Sequence, residues 1–278
     1  MGNLNGEKAF GAVSGLAWEG VEYFCTQRGG GSSRGRWASF NLGLHAGDDE
    51  ADVRSNRGLL RRALPSEPLW LKQVHGTEVL DADVFAQGAA RGAPVADAAI
   101  TATPGRVLAI MTADCLPVVL ATAGGTALAA AHAGWRGLAG GILEKAVAAL
   151  RAKTGGAAAS AAPRIRAWVG PGISQAHFEV GPDVYEAFTA HDAAARMFFA
   201  EKIARRKWHA DLPGLARHRL FLAGVDDIEL SGQCTYERDD LYYSYRRDPH
   251  TGRMATLAWI RPQTLDPGGL QSVATYPD

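Results

Sequence analysis

Residues 112–137 read TADCLPVVLATAGGTALAAAHAGWRG, and the prediction of the fold starts from this stretch. Two apolar runs without helical period, 116–122 and 126–131, flank a Gly-Gly pair, a pattern typical of a β-hairpin. The apolar runs end at two chemically active side chains, Cys115 and His132. Because short loops at strand ends can converge on one point, we expect both residues to contribute to a site.

The other elements follow from periodicity and turn residues. We predict strands at 21–26, 69–74, 96–101, 107–112, 165–169, 228–230 and 254–260, helices at 49–63, 138–153 and 181–188, and a further helix between the N-cap candidate Asp211 and the C-cap candidate Gly224. The alanine-rich segment 154–163 is predicted to be a loop. Because several strands come as hairpins, the alternation of helices and strands favours a mixed-sheet fold.

The composition limits the partners of this 278-residue chain. It carries 29 Lys plus Arg and 29 Asp plus Glu, so its formal net charge is zero. Nucleic-acid and anionic-membrane partners favour basic domains, and we therefore expect neither. The N-terminus lacks the pattern of a secretory signal, and the longest apolar region, 107–133, is interrupted by Asp114 and Pro117. Three cysteines cannot all pair within one chain, so we expect free thiols in the cytoplasm.

His75, Cys115 and His132 form the candidate site. Their spacing is too wide for a zinc finger, and the prediction rests on their shared position at predicted strand ends. Two imidazoles and one thiol can hold a zinc ion whose fourth position stays open, as in catalytic zinc sites. The same residues can instead form a thiol nucleophile and its base.

Several arginines are candidate anion ligands. Arg136 and the N–H groups that follow it stand at the start of a predicted helix, where phosphates bind, although it could simply stack on Trp135. Arg36 lies in a glycine-rich loop that is either a surface loop or a lid that meets an anion. Arg246 belongs to the segment 242–248, YYSYRRD, which suits base stacking and anion contact or an exposed basic strand.

Proton transfer in such a site calls for a carboxylate, and two are candidates. Asp114 directly precedes Cys115, where it would orient a histidine or accept backbone hydrogen bonds in the turn. Glu78 follows His75 by three residues and is the other candidate.

Short segments along the chain carry a family resemblance. They are NLGLH (41–45), QVHG (73–76), TADCLP (112–117), AHAGWRG (131–137), GPGI (170–173), CT (234–235), SYRRD (244–248) and TGR (251–253). On these residues the chain resembles the YfiH-like proteins, also called the laccase-domain or polyphenol oxidase family and, in some bacteria, peptidoglycan editing factors. The resemblance extends from about residue 21 to residue 260.

The resemblance implies an α/β protein of mixed α+β character, a single domain with α/β/β/α layers and mixed sheets, similar to the cysteine-histidine toxin deamidases. It implies a zinc ion held by His75, Cys115 and His132. It also implies phosphorolysis of adenosine, inosine and methylthioadenosine to a base and a sugar 1-phosphate, together with adenosine deaminase activity. Asp114 and Cys115 are then expected to act in catalysis, and Asn41, Arg36, Arg136 and Arg246 to contact substrate or phosphate. We expect purine nucleosides and phosphate as partners, and no obligate protein partner.

The family label further implies copper-dependent oxidation of phenols. The chain has 8 histidines, scattered and without a His-x-His pair, and a trinuclear copper cluster would need nearly all of them. This activity therefore ranks below the purine reactions, although copper binds such ligands more tightly than zinc in general. We expect the catalytic domain at residues 20–262, between an N-terminal extension, 1–19, and a C-terminal tail, 263–278.

Two further hypotheses remain open. A metal-free thiol hydrolase would act on an amide or a peptidoglycan precursor, with Cys115 as the nucleophile and His132 or His75 as its base. A zinc-stabilised binding module would need a fourth protein ligand, supplied by Cys25 or Cys234, that closes the site.

Overall fold

The structure is a computed structural model that describes residues 10–85, 92–155, 163–202 and 206–262. The predicted C-terminal tail, most of the predicted alanine-rich loop and the first nine residues of the predicted N-terminal extension lie outside these ranges. Among the helices that the structure describes, none has the length and apolar character needed to cross a membrane.

The strands of the described residues are short and mostly buried. In chain order they are β1 (Ala12–Val13), β2 (Val21–Thr26), β3 (Leu69–Trp70), β4 (Val79–Asp81), β5 (Ala98–Thr101), β6 (Leu108–Thr112), β7 (Leu116–Thr122), β8 (Leu128–Ala133), β9 (Ile165–Val169), β10 (Glu179–Val180), β11 (Phe199–Glu201), β12 (Trp208–Ala210), β13 (Asp227–Leu230) and β14 (Met254–Ile260). The α-helices are α1 (Glu50–Arg61), α2 (Trp135–Ala139), α3 (Ile142–Lys153), α4 (Pro182–Thr189) and α5 (Leu212–Leu222).

Two large mixed sheets form the centre of the molecule. One has the strand order β13-β9-β7-β8-β5-β4 and the other β1-β2-β14-β6-β3, and a small sheet has the order β10-β12-β11. Parallel pairs (β13 with β9, β4 with β5, β3 with β6) occur beside antiparallel ones. The predicted hairpin is β7 and β8, paired antiparallel, with Gly125 in the left-handed region at φ 63°. The mixed-sheet prediction is therefore confirmed.

The two sheets pack face to face, and helices cover both outer faces. Along β7 the side chains alternate, so that Val119 faces the second sheet while Leu120 faces α3 and α5. On the far side of the second sheet, Leu60 of α1 packs with Phe24 and Leu257. The resulting order is helix, sheet, sheet, helix, which is the layered single-domain architecture expected from the family resemblance.

The predicted helix 138–153 is two helices in the structure. Gly141, which separates α2 from α3, has φ 93° in the left-handed region, where a glycine breaks a helix without steric cost. Because of this break, α2 does not have to continue along the axis of α3. Residues 135–139 therefore lie in a short separate helix directly beside the end of the hairpin.

The predicted strand 69–74 pairs with β6 only at Leu69 and Trp70. Beyond that point, the side chain of Gln73 takes over the pairing: its Nε2 donates to the Met111 carbonyl at 2.8 Å, and its Oε1 accepts from the Met111 N–H at 2.8 Å. Because an amide side chain replaces the backbone, residues 74–76 are free to turn away from the sheet.

The core also takes in residues from the segment predicted as an N-terminal extension. Strand β1 pairs with β2, and Phe10 and Trp18 are buried against the sheet. Packing thus begins before residue 20, the predicted start of the domain.

We expect Leu120→Ala to lower the free energy of unfolding by about 2–5 kcal/mol, because the substitution leaves a cavity between β7 and the helices. Leu120 is completely buried. Urea unfolding followed by circular dichroism measures the change. Leu222→Ala is the matched control, since Leu222 in α5 is 63% exposed. Equal losses in the two variants would contradict the layered packing.

Candidate functional site

The β7–β8 hairpin brings Cys115 and His132 to the same end of the sheet. Leu116 pairs with Ala133, and Pro117 pairs with His132, so Cys115 stands at the open end of the hairpin beside the histidine strand. His132 is buried, whereas Cys115 is partly exposed. Antiparallel pairing of β7 with β8 therefore brings Cys115 and His132 together, which their spacing along the chain does not by itself predict.

His75 reaches the same point from the loop that follows Gln73. Its backbone lies in the left-handed region at φ 60°, which is uncommon for a residue other than glycine. The loop is held by Asp97, whose carboxylate accepts the backbone N–H groups of Val74 (3.2 Å), His75 (2.9 Å) and Gly76 (2.7 Å). The strained conformation thus persists because three hydrogen bonds fix it.

The same carboxylate orients the second histidine. Asp97 Oδ1 lies 2.8 Å from His132 Nδ1, and the Asp97 carbonyl accepts the His132 N–H at 2.7 Å. With Nδ1 engaged, Nε2 is the nitrogen that His132 has left for a metal or a thiol. Sequence reasoning missed Asp97, although an aspartate inside the apolar run VADAAI was a signal, since a fully buried carboxylate needs partners.

His75, Cys115 and His132, called here the His–Cys–His cluster, each offer one ligand atom, and these three atoms lie within 4.8 Å of one another. The two imidazole centroids are 4.7 Å apart, with the rings inclined at 69°. Gly134 allows this convergence: a Cβ there would lie 2.5 Å from His75 Nδ1 and 3.0 Å from Cys115 Sγ. His75 is exposed, so the cluster opens to solvent on one side.

The electrostatics of the cluster favour a thiolate. Burial by itself raises the pKa of the Cys115 thiol, but hydrogen bonds and positive charge from His132 and His75 outweigh it and lower this pKa to about 6. Burial likewise opposes the charged imidazole of His132, yet its contacts with Asp97 and Cys115 raise its pKa to about 9. At neutral pH the pair is therefore a thiolate beside an imidazolium. The thiolate can ligate a metal directly, and the imidazole can do so once it has lost its proton.

Asp114 has a structural role that differs from its predicted part in proton transfer. Its Oδ1 accepts the Thr235 hydroxyl at 2.7 Å, and its Oδ2 accepts the Ser244 hydroxyl at 3.0 Å and the Arg246 N–H at 2.7 Å. It is buried, with φ 87°. Because both oxygens are occupied, Asp114 ties the turn before Cys115 to two distant segments. Orientation of His132, its other predicted role, belongs to Asp97.

Asn41, which is predicted to contact substrate or phosphate, lies inside the fold. It is completely buried, its Nδ2 donates to Asp48 Oδ2 at 2.9 Å, and its Oδ1 accepts the N–H groups of Gly43 and Arg253, both at 2.9 Å. Its contact with substrate stays a prediction. Asn41 joins the loop after it to Arg253.

The three arginines predicted to bind phosphate each have other partners. Arg136 is exposed and stacks on Trp135, 4.2 Å from the ring centroid. Arg36 lies 3.6 Å from Asp248 in an exposed ion pair, and Arg246 Nη1 donates to two backbone carbonyls at 3.3 Å and 3.1 Å. Glu78, the other candidate for proton transfer, is exposed.

The two other cysteines do not complete the His–Cys–His cluster. Cys25 is buried between the sheets, and burial raises the pKa of its thiol to about 12. Cys234 lies in a separate group with His177 and Glu237. Among the residues that the structure describes, no fourth His, Cys, Asp or Glu joins the cluster, so the closed site required by a zinc-stabilised binding module is not formed by them.

In metal-free protein at neutral pH, we expect iodoacetamide to modify Cys115 well before Cys25 or Cys234, because Cys115 alone of the three is not buried and its imidazole neighbours favour the reactive thiolate. The rate should level off above neutral pH, whereas an unperturbed thiol, with a pKa of about 8.5, would continue to accelerate. Peptide mass spectrometry of quenched samples measures each rate after a chelator has removed metal. Cys115→Ala should abolish the fast reaction, and similar rates at all three cysteines would contradict the geometry.

The chain is similar to known proteins over most of its length. The sequence model of a family described as multi-copper polyphenol oxidoreductase laccase matches residues 22–261. A protein of Escherichia coli (strain K12) named "Purine nucleoside phosphorylase YfiH" is 44% identical over 244 residues, which are 87% of this chain and 95% of that protein. A "Purine nucleoside phosphorylase" of Xylella fastidiosa (strain 9a5c) is 45% identical over 251 residues, 87% of this chain and 93% of that protein.

A solved structure gives the same answer for the fold. The crystal structure of the Neisseria meningitidis protein NMB0706 matches with a TM-score of 0.81 and 41% identity, and the match covers 92% of this chain and all of that one. The family match includes the whole His–Cys–His cluster and, apart from β1 and the first residue of β2, all strands of the two large sheets. The resemblance to the YfiH-like proteins is thereby confirmed, and the chain belongs to the multi-copper polyphenol oxidoreductase laccase family.

Proposed function

We propose that this protein is a zinc-dependent purine nucleoside phosphorylase that also deaminates adenosine. The observation that carries the proposal is the His–Cys–His cluster, whose three ligand atoms lie within 4.8 Å and which opens to solvent at His75. Relatives that are more than 40% identical are named as purine nucleoside phosphorylases, which supports a nucleoside and phosphate as substrates.

The donor set fits a zinc ion. One thiol with a lowered pKa and two imidazoles, one of them held through Nδ1 by a buried carboxylate, are the ligands and the outer partner that zinc sites use. His75, Cys115 and His132 would hold the ion. When bound with an open position, zinc acts as a Lewis acid and lowers the pKa of its water.

The chain's own residues prepare the substrate side of the cluster. Asp97 keeps His75 and His132 in place, so little reorganisation is needed when a ligand arrives. Val74 and Tyr245, which are 51% and 54% exposed, are chain neighbours of His75 and of Arg246, whose N–H donates to Asp114 beside Cys115. Exposed apolar and aromatic side chains of this kind suit the face of a purine base.

Asp114 and Glu78 both stay predicted groups for proton transfer. Glu78 is exposed, whereas both oxygens of Asp114 accept hydrogen bonds. In phosphorolysis, a phosphate oxygen bonds to the anomeric carbon while the glycosidic C–N bond breaks and its electron pair leaves with the base, which takes up a proton. In deamination, water adds at the purine C6 and ammonia leaves.

A metal-free thiol hydrolase is the second candidate, and one observation favours it. Cys115, His132 and Asp97 form a thiol–imidazole–carboxylate chain in which the pKa of the thiol is lowered to about 6. Such an enzyme would act on an amide or a peptidoglycan precursor, and it would survive chelation. Copper-dependent phenol oxidation has less support, since neither candidate metal group among the described residues contains more than two histidines.

We expect purified, untagged protein to hold close to one zinc per chain and to release adenine from adenosine only when phosphate is present. Cys115→Ala should lose both properties, because it removes a ligand at the centre of the cluster. Zinc and copper are determined by mass spectrometry, and adenine, inosine and the sugar phosphate by chromatography.

Cys25→Ala is the matched control, since it removes a thiol from the core and leaves the His–Cys–His cluster intact. A metal-free wild-type protein that leaves adenosine unchanged and loses no activity toward an amide after chelation would reject the phosphorylase and favour the thiol hydrolase.

We expect Asp97→Asn to weaken zinc binding by about 10–100-fold, the usual effect of removing an outer partner of a ligating histidine. The amide also places a donor where the carboxylate accepts backbone N–H groups, so the loop that carries His75 should loosen. Competition against a chromophoric chelator measures the affinity.

Asp83→Asn is the control for Asp97→Asn. Asp83 accepts the Thr101 hydroxyl and the Ala102 N–H at the far end of β5, away from the cluster. Unchanged zinc affinity in Asp97→Asn, or equal losses in both variants, would reject the role assigned to Asp97.

A further inference from the structure

Two half-buried arginines near the His–Cys–His cluster lack a close carboxylate. Neither Arg57 nor Arg253 has an ion pair with a carboxylate of the described residues. Glu67, which lies 3.7 Å from Arg61, acts on Arg57 only through its charge, and Cys115 and Asp114 act on Arg253 in the same way. Burial lowers the pKa of Arg57 to about 10 and also lowers that of Arg253. Positive charge held away from water without a counter-ion is unfavourable, and an anion would stabilise it.

A single loop, 41–45, holds both arginines in place. The carbonyl of Leu42 accepts Arg57 Nε at 2.9 Å, while its N–H donates to the Arg253 carbonyl at 3.1 Å. The Asn41 side chain accepts the Arg253 N–H at 2.9 Å. Gly43 lets the Arg253 side chain pass, since a Cβ at Gly43 would lie 2.8 Å from its Cγ. The pair is therefore built into the fold rather than left loose on the surface.

The arrangement leaves both guanidinium groups with N–H donors to spare. Arg57 stacks over Trp70, 3.9 Å from the ring centroid, and uses Nε for Leu42 and Nη2 for the Met111 sulfur at 3.7 Å. Among the described residues, the Arg253 side chain donates to the carbonyls of Thr251 and Gly252, in both cases through Nη1. A guanidinium has five N–H donors, so each arginine retains several for an anion.

The arginine pair lies beside the His–Cys–His cluster. Met111, which Arg57 contacts, is held by Gln73, two residues before His75. Arg253 is close enough to Cys115 for the two charges to interact. Both arginines also act on His45 in the same loop, whose pKa is lowered first by its partial burial and then by their positive charge. The positive charges of Arg57 and Arg253 therefore both act on the region between the loop 41–45 and the Cys115 thiol.

We propose that Arg57 and Arg253 bind the phosphate co-substrate next to Cys115. This inference rests on the proposed phosphorylase function. Arginine forks match phosphate oxygens in two-point contacts, and two of them neutralise a dianion. The pair would orient phosphate for attack on the anomeric carbon and then hold the same phosphate as part of the sugar 1-phosphate. Of the arginines that the sequence suggests for this role, Arg36 is in an exposed ion pair with Asp248, and Arg136 and Arg246 are exposed, whereas Arg57 and Arg253 are half-buried.

The test measures phosphate binding and turnover separately, on the full-length zinc-loaded protein. Isothermal titration with inorganic phosphate, at constant ionic strength, should show Arg57→Gln and Arg253→Gln to bind phosphate about 10–100-fold more weakly than the wild type, the range for losing hydrogen bonds to a charged group. In turnover, the KM for phosphate should rise by a similar factor, while the KM for adenosine should not.

Arg54→Gln is the matched control, because Arg54 lies one turn before Arg57 on the exposed face of α1, where it pairs with Glu50. It should bind phosphate as the wild type does. Arg57→Lys and Arg253→Lys keep the charge without the fork and should show intermediate losses, so the inference stays testable if a Gln variant does not fold.

The possible failures are distinguishable. Wild-type phosphate affinity in the Arg57 and Arg253 variants would overturn the phosphate site and leave the phosphorylase proposal standing on zinc and phosphate-dependent adenine release. No phosphate binding by the wild type would count against both. Phosphate binding that depends on Arg57 and Arg253, in a protein that does not cleave adenosine, would support the site and reject the proposed function.

Discussion

The carboxylate of Asp97 is the constraint on which the candidate site depends. It is completely buried and accepts three consecutive backbone N–H groups from residues 74–76 as well as the Nδ1 proton of His132. An ionised group in the interior is stable only when such partners satisfy it. The hydrogen bonds that stabilise the buried carboxylate of Asp97 therefore also place two histidines, which lie on different segments of the chain, around one thiol.

Close packing of backbone around the cluster is the second requirement. Gly134 stands where any side chain would collide with His75 and Cys115, and Gly43 leaves room for the side chain of Arg253. The side-chain amide of Gln73 replaces backbone pairing with β6, which allows the loop that carries His75 to leave the sheet. These residues contribute little apolar burial, but they determine the positions of the His–Cys–His cluster and of Arg253.

The charges around the cluster form a consistent pattern. His132 and His75 lower the pKa of the Cys115 thiol, and the charge of Cys115 also acts on Arg253. Such surroundings favour negatively charged ligands. They also favour a metal ion that the thiolate coordinates, but they disfavour other bound cations nearby. An inorganic phosphate, which we propose as a co-substrate, carries negative charge of this kind.

The sequence determined the hairpin of residues 112–137, the mixed sheets and the three residues of the His–Cys–His cluster, because apolar periodicity, glycine turns and the position of reactive residues at strand ends are local properties. The bounds of β2, β7, β9 and β14 were predicted correctly for the same reason. Only the tertiary structure determined which carboxylate orients His132 and which arginines lie near the thiol. It also determined the hydrogen-bond partners of Asn41 and Asp114. Those contacts join segments that are up to 212 residues apart, as in the bond between Asn41 and Arg253, and local patterns carry no information about which distant partner a buried polar group will find.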